Sequence, residues 1–223
     1  MDVYFVMDIR NGKVVAGKMG KRDEYREISE TSRIVSTSDP VGVADTLRPR
    51  NVYIADLDRI ERRGDNIQAI LEISQRTEKT IVDLGFEKIE KIKYSFTPVF
   101  GTETFDLGRL KDGDWIVSID VKEKLLDRSG KFANIEDMIE FLNSYRISGI
   151  IVLPIHRVGS LTPDFAAVEK ALKISDHPVL TGGGFKSTQD LLRAKEMGLD
   201  GVLVSTAFHL GLIDIQILKE GKI

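Results

Sequence analysis

The chain repeats itself at its midpoint. Met7-Asp8-Ile9-Arg10-Asn11-Gly12-Lys13-Val14-Val15 returns in altered form as Ser118-Ile119-Asp120-Val121-Lys122-Glu123-Lys124-Leu125-Leu126. In both stretches an apolar run ends in an aspartate, followed by an apolar residue, a cation and then an apolar pair. Asp8 and Asp120 stand close to half of the 223-residue length apart. The repetition continues: Asp83–Glu90 resembles Gly182–Gln189, with Gly85 matching Gly184, and Val99–Gly108 resembles Leu203–Gly211, with Gly101 matching Ser205 and Thr102 matching Thr206. Motif order is preserved and spacing drifts only by loop lengths, as duplication requires. Any alternating strand–helix chain is self-similar in hydrophobicity, but the shared aspartate, glycine and threonine positions go beyond that.

Between these motifs, strand-length apolar runs alternate with helical periodicity. Residues 3–8, 51–58, 79–85, 97–102, 114–120, 148–154, 177–184 and 200–206 read as eight strands, near-continuously apolar as buried parallel strands are. The polar segment 11–38 reads as a long loop with room for a hairpin. Asp39-Pro40 caps a helix bearing Val43, Ala44 and Leu47. Asp65 is the expected cap of a helix bearing Ile67, Ile70 and Leu71, and a short helix is expected over 86–94. Ile135, Met138, Ile139 and Leu142 mark another, Thr162-Pro163 opens the next, and Ser187-x-x-Asp190 is a capping box for a helix closed by Gly198. A last helix follows residue 206. Such alternation predicts the α/β class, as a single-domain (β/α)8 TIM barrel over 1–223 with half-barrel repeats of about 1–111 and 112–223. An open doubly wound sheet is the alternative.

Composition narrows the function classes. A net charge of −3 speaks against a protein dedicated to nucleic acid. No apolar run approaches the ~20 residues of a membrane span, and the N-terminus lacks a basic region before its apolar run, so a cytoplasmic protein is expected. Zero cysteines exclude disulfides, thiolate metal sites and a cysteine nucleophile.

In a barrel of this kind chemistry sits where strands run into the following loops. The polar strand-end residues are Asp8, Asp56, Asp58, Asp83, Gly101, Thr102, Asp120, His156, Gly182, Gly183, Gly184, Ser205 and Thr206. Asp8 and Asp120 close the first and fifth strands on opposite sides of the mouth, where two carboxylates can divide general acid and base work; the bland reading is that they cap loops or pair with cations such as Arg10. Gly182-Gly183-Gly184 before a helix, with Ser205-Thr206 at the next strand end, fits phosphate binding through backbone amides and a helix N-terminus, against a mere tight turn. The first-half counterpart, Gly85, Gly101 and Thr102, lies beside Glu87 and Glu103, which repel phosphate. His156 faces either the pocket or solvent. Asp56 and Asp58 can bind a divalent cation, but with Arg59, Arg62 and Arg63 alongside, ion pairs are the expectation. Lys18, Lys21 and Arg22 either close over a phosphate as a lid or form a solvated basic loop.

The residues "MDIRNGKVV" (7–15), "IADLDRI" (54–60), "VFGTE" (99–103), "VSIDV" (117–121), "GGGF" (182–185) and "VSTAF" (204–208) resemble the histidine-biosynthesis barrels across nearly the whole chain. These are the ProFAR isomerase and the cyclase subunit of imidazole glycerol phosphate synthase. The resemblance implies a half-barrel duplication, two catalytic aspartates and two phosphate sites, one in each half. It implies an Amadori rearrangement of an aminoaldose phosphate, with Asp8 as base at the sugar C2 and Asp120 as acid for ring opening. No cofactor is expected, and the family needs no metal. This sequence departs from the family at several positions. Glu87 replaces an arginine, Leu153 a threonine, Val158 an aspartate and Ala16 an arginine, and the Gly-Trp pair after strand five is missing from residues 127–138.

The reading is therefore an isomerase of this family with a smaller phosphorylated amino-sugar or ribotide substrate than the bis-phosphorylated one. The alternatives are a true ProFAR isomerase, a cyclase- or lyase-type reaction with the same aspartates, and a non-catalytic phospho-ligand binder. The expected partner is the small phosphorylated substrate, with neither nucleic acid nor membrane, in a monomer or small homo-oligomer.

Overall fold

A computed structural model describes residues 1–90 and 94–223. Eight parallel strands close into a barrel: β1 (Asp2–Arg10), β4 (Asn51–Asp56), β5 (Lys79–Asp83), β6 (Thr97–Gly101), β7 (Ile116–Val121), β8 (Gly149–Pro154), β9 (Val179–Gly182) and β10 (Gly201–Val204). Closure is through β1 and β10, with Val3 beside Val202 and Phe5 beside Val204. The first four barrel strands come from the first half of the chain and the last four from the second. β2 (Lys13–Ala16) and β3 (Arg26–Glu27) extend the sheet antiparallel from β1. The outer helices are α1 (Pro40–Leu47), α3 (Ile67–Ser74), α4 (Ile135–Leu142), α5 (Phe165–Ile174), α6 (Thr188–Glu196) and α8 (Ile215–Glu220), with one-turn helices α2 (Leu57–Ile60) and α7 (Thr206–His209) at strand exits.

Strand parity builds two cores. Tyr4, Tyr53, Ile81, Val99, Ile116 and Leu180 fill the barrel interior, while the alternate residues, Val3, Phe5, Met7, Val52 and Ile54 among them, pack outward under the helices. In that outer layer Phe100 lies 4.6 Å from Phe105, 5.1 Å from Phe86 and 5.5 Å from Trp115 between ring centroids. Truncating such a ring costs about 3–5 kcal/mol. No described helix is long and apolar enough to cross a membrane.

Several local expectations shift. Strand one runs past Asp8 to Arg10 and turns through Asn11-Gly12 into β2. Both turn residues have positive φ (51° and 72°), as a two-residue hairpin requires. Residues 86–90 are not helical, and 91–93 lie outside the described residues. Leu84-Gly85 supplies no capping side chain there, and Phe86 is held against Phe100 and Tyr94. The helix after Thr162-Pro163 opens at Phe165, because the Asp164 carboxylate accepts from Ala167 N and is the better cap. Asn66, not Asp65, is the N-cap of α3. The capping box at Ser187 and Asp190 forms as expected.

Candidate active site

The parity that fills the barrel also decides which strand-end residues meet above it. Tyr4, Val6 and Asp8 share one face of β1, Ser118 and Asp120 one face of β7, and Ile81 and Asp83 one face of β5. All point to the axis, and Asp8, Asp83 and Asp120 line one cavity of about 110 Å³ at the C-terminal mouth. Its other walls are Tyr25, Tyr53, Ile60, Leu153, Phe185 and, on the far side, Gly182–Gly184, Ser205 and Thr206.

The three carboxylates differ in their surroundings. Asp120 is 4% exposed; it accepts from Ser118 Oγ (2.7 Å) and from the Glu103 amide (3.2 Å). Burial pushes its pKa up to about 7 despite those bonds. Asp8 is pushed up by burial to about 6, and the nearby Arg22 guanidinium opposes the shift. Asp83 accepts only from Gly85 N (2.8 Å) among the described residues, and burial together with the Asp120 charge drives it to about 8. Between Asp83 and Asp120 lies Gly101. A Cβ there would stand 2.8 Å from Asp83 Oδ2 and 2.9 Å from Asp120 Oδ2, so only a bare Cα lets the two carboxylates share this space. Tyr53 lies among them, and burial followed by the charges of Asp83, Asp120 and Asp8 holds its hydroxyl protonated far above the usual range.

Loop one covers the mouth. Arg22 reaches across to Glu103 with two bonds, 3.0 and 2.6 Å. Met19 N donates to Val158 O (2.7 Å), joining loop one to the loop after β8. The two loops touch backbone to backbone: a Cβ on Gly159, whose φ is +73°, would lie 2.3 Å from Gly17 O. Among the described residues lining the cavity, Arg22 is the only cation, facing Asp8, Asp83, Glu103 and Asp120.

The expected site residues separate by parity. Asp8, Asp120, Gly182, Gly183, Gly184, Ser205 and Thr206 line the cavity. Gly85, Gly101 and Thr102 do not: Thr102 is fully buried and its Oγ1 accepts from Asp120 N (3.0 Å), while Gly85 rests on Ile60. Among the described residues, Asp56 and Asp58 do not form the expected ion pairs. Asp56 accepts from Asn66 N (2.8 Å), Asn66 Nδ2 (2.7 Å) and Arg59 N (3.2 Å), which fastens the α2 turn to Asn66, while Asp58 accepts from Asn11 N (2.6 Å) and ties the β1–β2 hairpin to that turn. Arg59, Arg62 and Arg63 pair instead with Glu90, Glu87 and Glu61. His156 lies beside Asp164 (4.0 Å), outside the cavity lining. Lys18 pairs with Glu24 (2.5 Å) and borders a separate cavity of about 220 Å³ behind loop one.

The helix end facing the glycines also differs from expectation. The α6 N-terminus is filled by its own Asp190 carboxylate, which accepts from Lys186 N and Ser187 N (3.0 Å each). The single-turn α7 has no side-chain cap, and Ser205 and Thr206 at its start line the cavity. Tyr25, Tyr53 and the Glu103 latch went unread in the sequence. Strand parity counted back from Ala55 would have found Tyr53.

A family model described as "Histidine biosynthesis protein" matches residues 2–214. An uncharacterized protein of Methanocaldococcus jannaschii is 34% identical over 229 residues, covering 97% of this chain and 96% of its own length. Two proteins named as the 1-(5-phosphoribosyl)-5-((5-phosphoribosylamino)methylideneamino) imidazole-4-carboxamide isomerase are each 26% identical. The one from Thermococcus kodakarensis matches 99% of this chain and 97% of its own length, and the one from Gemmatimonas aurantiaca 96% of both.

Proposed function

The chain belongs to the histidine biosynthesis protein family, and on that premise we propose that it is an isomerase acting by acid–base chemistry on a phosphorylated amino-sugar or ribotide smaller than the bis-phosphorylated one. The observation that carries this reading is that Asp8 and Asp120 open into one cavity from β1 and β7, with pKa values raised to about 6 and about 7. Asp120, still partly protonated at neutral pH, gives its proton to the ring oxygen, and the sugar opens to an iminium. Asp8, largely ionised at that pH, takes the C2 proton. The resulting enaminol tautomerises to the aminoketose. Raised and separated pKa values let two carboxylates take opposite roles at one pH.

The glycine-lined end supports a phosphate seat. Gly182–Gly184 bring backbone close to the cavity, and the hydroxyl-bearing Ser205 and Thr206 line it beside them. The names of the two isomerase relatives carry two phosphoribosyl groups. Here the first-half end of the cavity is acidic, which favours a substrate with one phosphate.

The test is turnover by the purified protein of the ProFAR substrate and of smaller aminoaldose monophosphates, with Asp8→Asn and Asp120→Asn alongside. The expected result is turnover of a monophosphate that drops at least ~100-fold in either variant, with ligand affinity kept. Efficient turnover of the bis-phosphorylated substrate would replace this reading with that of a true ProFAR isomerase. Ligand binding that never leads to turnover would make the protein a phospho-ligand binder.

A further inference from the structure

Resting on the phosphate seat at Gly182–Gly184, we infer that the opposite end of the cavity takes a protonated amine of the substrate, held between Asp83 and Asp120. The amides that could bind an anion there are already spent on the protein's own carboxylates: Gly85 N donates to Asp83 Oδ1 at 2.8 Å and Glu103 N to Asp120 Oδ2 at 3.2 Å. The local cation, Arg22, is committed to both oxygens of Glu103. A second phosphate at this end would therefore meet a cluster of acidic side chains, with the local backbone amides and the guanidinium already engaged.

Asp83 is only 7% exposed, yet among the described residues nothing donates to its Oδ2. That oxygen and Asp120 Oδ2 crowd together over Gly101, 2.8 and 2.9 Å from the position a Cβ would take, so the two acids stand side by side at this end of the cavity. Asp83 lines the cavity, so a ligand N–H can reach that open acceptor. An ammonium fits because it brings several donors and a charge into a compact volume. The substrate class is thus a monophosphate whose far end carries an amine, across a mostly apolar middle of Val6, Ala55, Leu57 and Leu153.

The experiment is calorimetric titration of the full chain with three probe series of matched length, from propyl to hexyl. They are n-alkyl phosphates, ω-aminoalkyl phosphates and α,ω-alkanediol bisphosphates, each against wild type and Asp83→Asn. The inference expects the best aminoalkyl phosphate to bind ~10-fold or more tighter than its alkyl counterpart, and the bisphosphate to gain nothing. In Asp83→Asn the amine advantage disappears while alkyl phosphate affinity stays, which also shows that the variant is folded. Equal binding of amine and alkyl probes, an advantage that survives Asp83→Asn, or tightest binding of the bisphosphate would each overturn the amine site and leave the phosphate seat standing. Failure of every phosphate probe to bind would remove the phosphate seat and this inference with it.

Discussion

At the scale of single residues, the site is a problem of four carboxylates and one guanidinium in one cavity, with only Glu103 held by the cation. Asp83 carries the largest cost, because burial and the Asp120 charge raise its pKa to about 8 from the ordinary 3.8. A folded-state pKa above the unfolded one means that the native protein holds a proton the unfolded chain releases. Stability is then full below about pH 4 and is lost as pH rises toward about 8. Asp83→Asn removes that loss while its side-chain oxygen can still accept from Gly85 N. Thermal melts should show the variant near wild type at about pH 4 and several degrees more stable at about pH 8. A Tm difference that does not change with pH would show that Asp83 is not the strained group. Which aspartates matter was only half legible in the sequence. Asp8 and Asp120 announced themselves by the repeat, but Asp83 and Asp56 both read as polar strand ends. The structure separates them by parity: Asp83 shares a face with Ile81 inside the barrel, whereas Asp56 follows Ala55 on the opposite face and is spent on Asn66.

At the scale of elements, strands and most helices follow directly from apolar periodicity and caps, while the functional loops do not. Loop one, residues 17–25, has no hydrophobic period to reveal its path; its position is set by contacts distant in sequence, Arg22 with Glu103 and Met19 with Val158. The same holds for residues 86–90, whose conformation is set by aromatic packing from β6 and not by local helix signals. The lid is tight because two glycines let two backbones meet. Gly159→Ala would place a methyl group 2.3 Å from Gly17 O and force a side chain into a left-handed conformation, which costs about 1–2 kcal/mol. Loop one must then lift. Hydrogen exchange at the Met19 amide, which donates to Val158 O, should speed up by ~10-fold or more. The Tm should fall little, since neither core layer includes this contact. Unchanged protection of Met19 would show that the lid is held by the Arg22–Glu103 pair alone.

At the scale of the whole molecule, the repeat gives two four-strand halves whose corresponding motifs face each other across one mouth. The halves have diverged unequally. In the second half the glycines of the β9 exit line the cavity; in the first, Gly85 is packed under Ile60 and carboxylates occupy the equivalent ground. Sequence similarity between halves showed the architecture but not this asymmetry, which arises from how neighbouring loops fill space. The halves nonetheless depend on each other through two seams, β6 against β7 and β10 against β1. At the second seam the chain ends pair directly: Ile223 N donates to Met1 O at 3.2 Å, and Asp2 bridges Lys222. Between the halves, Lys111 and Asp112 are exposed and lie outside any strand. A circular permutant that joins residue 223 to residue 1 through a short linker and opens between Lys111 and Asp112 breaks no ladder and exposes no core side chain. It should keep the wild-type circular dichroism spectrum and melt within several degrees of wild type. Opening between Tyr53 and Ile54, in a strand buried along all six residues, should abolish cooperative folding. If the two openings are equally harmful, the halves are not separable units of the fold, and the barrel closes only when its strands form in their native chain order.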